Sequence, residues 1–111
     1  MTTDTIAAIA TAPGAGGIGI VRVSGPGALP ILEKLFAPAR KGDYKPWTLR
    51  RGRVQDTEGN TLDDSLAVFM PGPKTFTGED MAELQCHGGP VLLAAVLEAC
   101  LRAGARLAER G

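Results

Sequence analysis

Glycine and proline, 15 and 8 of the 111 residues, punctuate this chain so often that it can fold only into short elements joined by tight loops. Thr5-Ile-Ala-Ala-Ile-Ala-Thr11 and Ile18-Gly-Ile-Val-Arg-Val-Ser24 are rich in β-branched residues and are bounded by Gly and Pro, so both read as buried strands. Pro13-Gly-Ala-Gly-Gly17 links them as a loop. From Ala28 to Phe36, Leu29, Ile31, Leu32, Leu35 and Phe36 fall at helical spacing. Pro38, Gly42 and Pro46 mark a loop. Trp47 to Gln55 then alternates apolar with basic residues up to the turn Asp56-Thr-Glu-Gly-Asn60, and with Thr61 to Met70 it predicts a β-hairpin. The stretch from Pro71 to Asp80 holds two prolines and two glycines and cannot continue the strand. Met81 to Cys86 alternates again. Pro90 opens a helix that Gly104 can close with a left-handed cap. Leu93, Val96, Leu97, Cys100 and Leu101 form its apolar stripe, and Leu92, Ala95 and Ala99 widen it, which predicts burial on more than one side. Arg106 to Glu109 reads as the start of another strand, so that stopping at Gly111 is expected of a piece of a longer chain. The order β-β-α-β-β-β-α predicts a single α+β domain over residues 1–111, a mixed sheet with two or three helices packed on it.

Twelve lysines and arginines balance twelve aspartates and glutamates, so no net positive field exists to hold a nucleic-acid backbone. Arg50, Arg51 and Arg53 make a local basic stretch, read here as the solvated face of a strand. Only Cys86 and Cys100 occur, and no charged-then-apolar leader precedes the first apolar segment, which argues for a reducing compartment, the cytoplasm. The longest near-continuous apolar run, Val91 to Ala99, is too short to cross a bilayer, and no membrane partner is expected.

Gly14-Ala-Gly-Gly-Ile-Gly19 satisfies the G-x-G-x-x-G pattern of dinucleotide-binding folds. That fingerprint needs a helix next, whereas Ile18 to Ser24 is a β-branched segment, so the glycines are assigned to a loop between strands. No G-x-x-x-x-G-K-[ST] phosphate loop is present. Cys86 and His87 invite a nucleophile pair, but neighbours along a strand point to opposite faces, and one histidine with two cysteines does not complete a zinc site. No catalytic residue and no metal site is assigned. In Met81 to Cys86, Ala82, Leu84 and Cys86 share one face and Met81, Glu83 and Gln85 the other. Glu83 is either a solvent-facing residue or a carboxylate accepting from the N–H donors of a planar heterocycle. Arg22, alone in an apolar strand, is either an ion-pair partner or a contact to an acidic ligand.

Three blocks carry a resemblance: Asp4-Thr-Ile-Ala with Thr11-Ala-Pro-Gly-Ala-Gly-Gly-Ile-Gly-Ile-Val-Arg-Val-Ser-Gly25, Phe69-Met-Pro-Gly-Pro-Lys-Thr-Phe-Thr-Gly-Glu-Asp80, and Glu83-Leu-Gln-Cys-His-Gly-Gly-Pro90. In order and spacing they resemble the N-terminal domain of the MnmE (TrmE) family of tRNA-modification GTPases, over nearly the whole chain. The resemblance implies a fold similar to the folate-binding part of glycine-cleavage aminomethyltransferases. It implies a homodimer that binds a tetrahydrofolate derivative, 5-formyl- or 5,10-methylene-tetrahydrofolate, with Arg22 and Glu83 as folate-binding residues and Glu83 on the pterin. It further implies a parent enzyme that hydrolyses GTP with potassium and magnesium in a separate domain and works with the flavoprotein MnmG (GidA). That complex would build aminomethyl or carboxymethylaminomethyl groups on the wobble uridine of tRNA. Ala12, Ala15 and Arg110 depart from the family's usual residues. A further basic folate contact, the GTPase motifs and a C-terminal cysteine motif would lie beyond Gly111. Two other functions stay open on the residues alone, a purely structural dimerisation module and a stand-alone folate-dependent one-carbon transferase.

Overall fold

The computed structural model of the chain describes residues 4–11 and 17–109. Nine elements follow in order: β1 (Ile6–Ile9), β2 (Ile18–Ser24), α1 (Ala28–Leu35), β3 (Phe36–Pro38), β4 (Arg50–Gln55), β5 (Thr61–Met70), β6 (Met81–His87), α2 (Pro90–Arg102) and β7 (Arg106–Leu107). They build the expected α+β architecture, one seven-stranded sheet in the order β3-β4-β5-β6-β2-β1-β7 with two helices. Every neighbouring pair is antiparallel except β1 with β7, so the sheet is mixed. Followed through these pairings, β2 runs parallel to β3 and β6 parallel to β7. Each helix is therefore the crossover that a parallel connection requires.

Both helices pack on one face of the sheet. Val21 and Val23 of β2, Ala82, Leu84 and Cys86 of β6, and Ala67 and Phe69 of β5 point to that side and meet Leu32 and Leu35 of α1 and Leu93, Val96 and Cys100 of α2 in one buried cluster. Gly19 is a packing residue there: a Cβ would stand 2.5 Å from Leu93 Cδ1, so its absence lets α2 settle on β2. The opposite face carries the alternate residues, Ile20 and Arg22 of β2, Glu83 and Gln85 of β6, Leu66 and Val68 of β5, and Arg51 and Arg53 of β4, brought side by side by the register. Among the described residues no helix covers that face, although Val68 and Met81 on it are buried at the end bordered by the 71–80 segment.

Where the structure departs from the sequence reading, packing is the reason. Phe36 ends the helical spacing but is extended (φ −125°, ψ 125°) and begins β3 with no intervening loop, its ring buried in the core. Pro38 closes β3 rather than opening a loop. This is permitted because β3 is an edge strand and needs no N–H on its outer side. The strand expected from Trp47 starts only at Arg50, since Trp47 adopts a positive φ of 63° that ends regular extension. The hairpin turn is as read. Asp56 Oδ1 accepts from the backbone N–H groups of Glu58 and Asn60, 2.9 Å each, and these bonds, Asn60's foremost, hold the Asp56 carboxyl below the usual carboxylate range.

Helix α2 ends in a Schellman cap, with Ala105 N–H donating to Cys100 O and Gly104 N–H to Leu101 O at a glycine φ of 120°. Its predicted burial on more than one side is partial. Leu93, Val96, Ala99 and Cys100 are buried, Leu92, Leu97 and Leu101 are half-buried against the core, and Val91 is 84% exposed. No helix among the described residues is long and apolar enough to cross a membrane.

Candidate functional site on the open sheet face

Arg22 and Glu83 are register partners on β2 and β6, near the middle of the uncovered face. The two readings left open for each residue resolve into one arrangement, because they meet each other. Arg22 Nε donates to Glu83 Oε2 at 2.8 Å and Nη2 lies 2.6 Å from the same oxygen. The Glu83 side chain is only 13% exposed and that of Arg22 34%. Among the described residues nothing donates to Glu83 Oε1, so the pair presents a fixed carboxylate with one oxygen neutralised and one acceptor unengaged. Ile20 and the largely buried Val68 flank it, and the unengaged Oε1 can accept from an N–H donor of a planar group laid against them.

The segment Pro71 to Asp80 borders the site at the far end of β2. Ser24 Oγ and Thr77 Oγ1 are 2.7 Å apart, Gly25 N–H donates to Asp80 O at 2.8 Å, and Gly72 N–H donates to Asp80 Oδ1 at 2.9 Å. Thr75 Oγ1 closes the loop on Glu79 O at 2.6 Å. The loop is thus ordered by its own polar side chains. Phe76 stands at its surface, 91% exposed.

At the other end of the same face the sheet curves into a groove of about 670 Å³, lined by residues that include Ile18, Ala37, Arg51, Arg53, Asp64, Leu66, Gln85 and His87. The volume is that of a small-molecule pocket. Of the three arginines read as a solvated face, only Arg51 and Arg53 are on it. Arg50 points the other way. Its Nη1 donates to Gly42 O at 2.8 Å, its Nη2 donates to Arg40 O, and its guanidinium lies 4.9 Å from the Tyr44 ring centre, so it pins the 39–49 connection.

Cys86 and His87 face apart, as strand alternation requires. His87 is exposed, with Nδ1 2.8 Å from Asp63 Oδ1 and its N–H donating to Asp63 Oδ2. Cys86 is 3% exposed on the helix side; burial, and then the nearby Asp63 charge, pushes its thiol up to about 12. A thiol held protonated is a poor nucleophile. Iodoacetamide at about pH 8 is expected to label neither cysteine in the native chain and both after denaturation. Rapid native labelling of Cys86, read by mass spectrometry, would return it to the list of reactive groups. No cluster of three or more His, Cys, Asp or Glu side chains suited to a metal ion occurs among the described residues. The first half of the glycine pattern, from Gly14, lies outside the described residues, as do Ala12, Ala15 and Arg110, while its last members lead into β2 and not into a helix.

The sequence reading left Arg22 as an ion-pair partner or ligand contact and Glu83 as a solvent-facing residue or ligand acceptor, and missed that they are mutual partners. Pairing across two strands separated by 61 residues depends on register, which no local pattern encodes. It also missed that Arg51 and Arg53 open onto the same surface.

Fold and site together define an α+β domain whose uncovered sheet face carries a cross-strand carboxylate–guanidinium pair beside a basic groove. The chain belongs to the family described as GTP-binding protein TrmE N-terminus, whose model matches residues 5–111. It is 62% identical over 111 residues to the tRNA modification GTPase MnmE of Nitratidesulfovibrio vulgaris, covering 97% of this chain and 24% of that protein. It is 58% identical over 108 residues to the protein of the same description from Roseiflexus sp., covering 97% of this chain and 23% of the relative. A Synechococcus relative, again described as tRNA modification GTPase MnmE, is 51% identical over 111 residues, 97% of this chain and 24% of its own length. The chain spans about a quarter of the length of these relatives.

Proposed function

We propose that residues 1–111 form one domain that binds a tetrahydrofolate derivative and pairs with a second copy of itself, serving in the cytoplasm a tRNA-modifying enzyme that hydrolyses GTP elsewhere in its sequence. The observation that carries this reading is the Glu83 carboxylate, 13% exposed, with Oε2 held by Arg22 and Oε1 unengaged beside Ile20 and Val68. Family membership supports the tRNA-modification setting. A reduced pterin offers an exocyclic amine and a ring N–H side by side, and Glu83 is the acceptor for them. Arg22 holds that carboxylate in place through Nε and Nη2, which makes it a positioning residue here. As a carrier of a one-carbon unit, the folate would supply the carbon of the uridine modification. The MnmG flavoprotein and tRNA are partners in that larger assembly, and the likeness to glycine-cleavage aminomethyltransferases is part of the same proposal.

Titration calorimetry with 5-formyltetrahydrofolate tests the site. Glu83→Gln is expected to weaken binding about ten-fold or more, because a charge-assisted hydrogen bond of ~1.5–3 kcal/mol is lost and an amide donor then faces the ligand's donors. Arg22→Ala is expected to lower both affinity and stability, since it leaves a nearly buried carboxylate unpaired. Unchanged affinity in Glu83→Gln, with an unchanged melting temperature, removes Glu83 from the site. A second reading, a purely structural dimerisation module, is favoured by one observation: Arg22 and Glu83 form a cross-strand ion pair of the kind that stabilises a sheet by itself. Sedimentation velocity over a hundred-fold concentration range, with and without folate, separates the two. Self-association without any folate binding selects the structural module.

A further inference from the structure

Arg22 spends its guanidinium on Glu83, with both Nε and Nη2 on one oxygen. A ligand seated on Glu83 that carries anionic groups at its other end must therefore find its cations elsewhere. From Gln85, two residues along β6 from Glu83, the register leads across the face to Leu66 on β5 and then to Arg51 on β4. With strands about 4.8 Å apart and about 3.4 Å of rise per residue, Arg51 lies about 12 Å from Glu83 at the backbone. Arg53 is two residues further along the same edge of the groove. Both side chains are exposed, and among the described residues no carboxylate forms an ion pair with either; Asp64, the register partner of Arg53, stays outside ion-pair distance. Asp63 is engaged with His87. The groove thus sets two unpaired guanidinium groups against one carboxylate, with Ile18, Leu66 and Ala37 as apolar lining.

We propose that Arg51 and Arg53 bind the acidic tail of the folate, its glutamate or oligo-γ-glutamate carboxylates, with the p-aminobenzoyl ring lying along the apolar lining between them and Glu83. This rests on the Glu83 reading above and extends it to substrate form: the domain selects polyglutamylated over unconjugated carrier. The guanidinium fork matches carboxylate geometry, and an exposed charged contact weakens with salt.

Three ligands test it on this chain: 5-formyltetrahydropteroate, which lacks glutamate, 5-formyltetrahydrofolate, and its triglutamate. Affinity is expected to rise in that order, the triglutamate binding about ten-fold or more tighter than the pteroate at low salt, with the advantage shrinking as salt is raised. In an Arg51→Gln/Arg53→Gln double variant, whose circular dichroism should match the parent because both side chains are exposed, the advantage should disappear while pteroate affinity holds. Glu83→Gln should weaken all three ligands alike. Equal binding of the three by the parent chain, combined with loss of pteroate binding in Glu83→Gln, overturns the groove assignment and leaves the Glu83 site standing. A double variant that keeps the triglutamate advantage, or that loses pteroate affinity equally, also overturns it. No binding of any of the three overturns both readings.

Discussion

The chain is expected to lose stability steeply above about pH 9, by roughly 6–7 kcal/mol in all at pH 11. Burial raises the thiols of Cys86 and Cys100 from 9.0 to about 12, aided by the Asp63 charge for the first and by their mutual proximity for the second. Burial likewise raises the Tyr44 phenol from 10.0 to about 12, with Arg50 opposing and Glu33 reinforcing the shift. In each case the folded state keeps a proton that the unfolded chain releases. The contribution is therefore intact below the unfolded value and is lost as pH climbs toward the folded one. Each buried thiol removes ~1.4 kcal/mol per pH unit across its window, and the half-buried phenol removes less because solvent screens it. Two thiols, joined above pH 10 by the phenol, remove roughly 3–4 kcal/mol per unit, against a total of about 5–15 kcal/mol for a domain of ordinary stability. Equilibrium denaturation followed by circular dichroism at successive pH values measures that slope. A Cys86→Ala/Cys100→Ala variant should start less stable at neutral pH yet decline by at most ~1.4 kcal/mol per unit, from the remaining tyrosine. Parallel declines in the two proteins would show that other groups govern alkaline unfolding.

Gly52→Ala is expected to lower the melting temperature by roughly 10 °C. A Cβ at Gly52 would collide with the Ala37 carbonyl oxygen and stand 2.6 Å from Phe36 Cζ. Neither neighbour can retreat cheaply, since Ala37 belongs to the backbone of β3 and the Phe36 ring is buried in the core. Overpacking of this kind costs ~1–3 kcal/mol, and one kcal/mol moves the midpoint of a chain this size by about 4 °C or more. Gly19→Ala is the informative contrast. Its Cβ would meet the ends of the Leu93 side chain, which can change rotamer, so a smaller loss is expected. Differential scanning calorimetry of the two variants decides the matter. A Gly52→Ala midpoint above that of Gly19→Ala would mean that β3 yields more easily than a flexible leucine. Because β3 also forms one wall of the groove, the tail-binding proposal above predicts that Gly52→Ala weakens binding of a glutamylated folate more than of the pteroate form.

Much of the fold is legible in local pattern. Alternation marks β4, β5 and β6, helical spacing marks α1 and α2, Asp56 to Asn60 spells the hairpin turn, and Gly104 is a cap that only its positive φ requires. The elements that escaped are those whose identity depends on a neighbour. Phe36 looks like the end of a helix until its ring is seen to serve the core from an edge strand. Trp47 looks like the start of a strand until the connection pinned by Arg50 turns it to positive φ.

The candidate site divides in the same way. That Glu83 stands on the strand face opposite Ala82, Leu84 and Cys86 is a matter of two-residue periodicity, and the chain states it unaided, whereas Arg22 shares its parity with Ile18 and Ile20 and is not placed by pattern. That they touch, that Arg51 and Arg53 share their surface while Arg50 leaves it, and that the surface ends in a groove are decided only when β2, β6, β5 and β4 pair in register. The physical reason is that periodicity is written in neighbouring residues, whereas register is set by the packing of the whole sheet against α1 and α2, where a slip of one residue would turn Val21, Leu84 and Ala67 out of the core and bury Arg22 and Glu83 in their place.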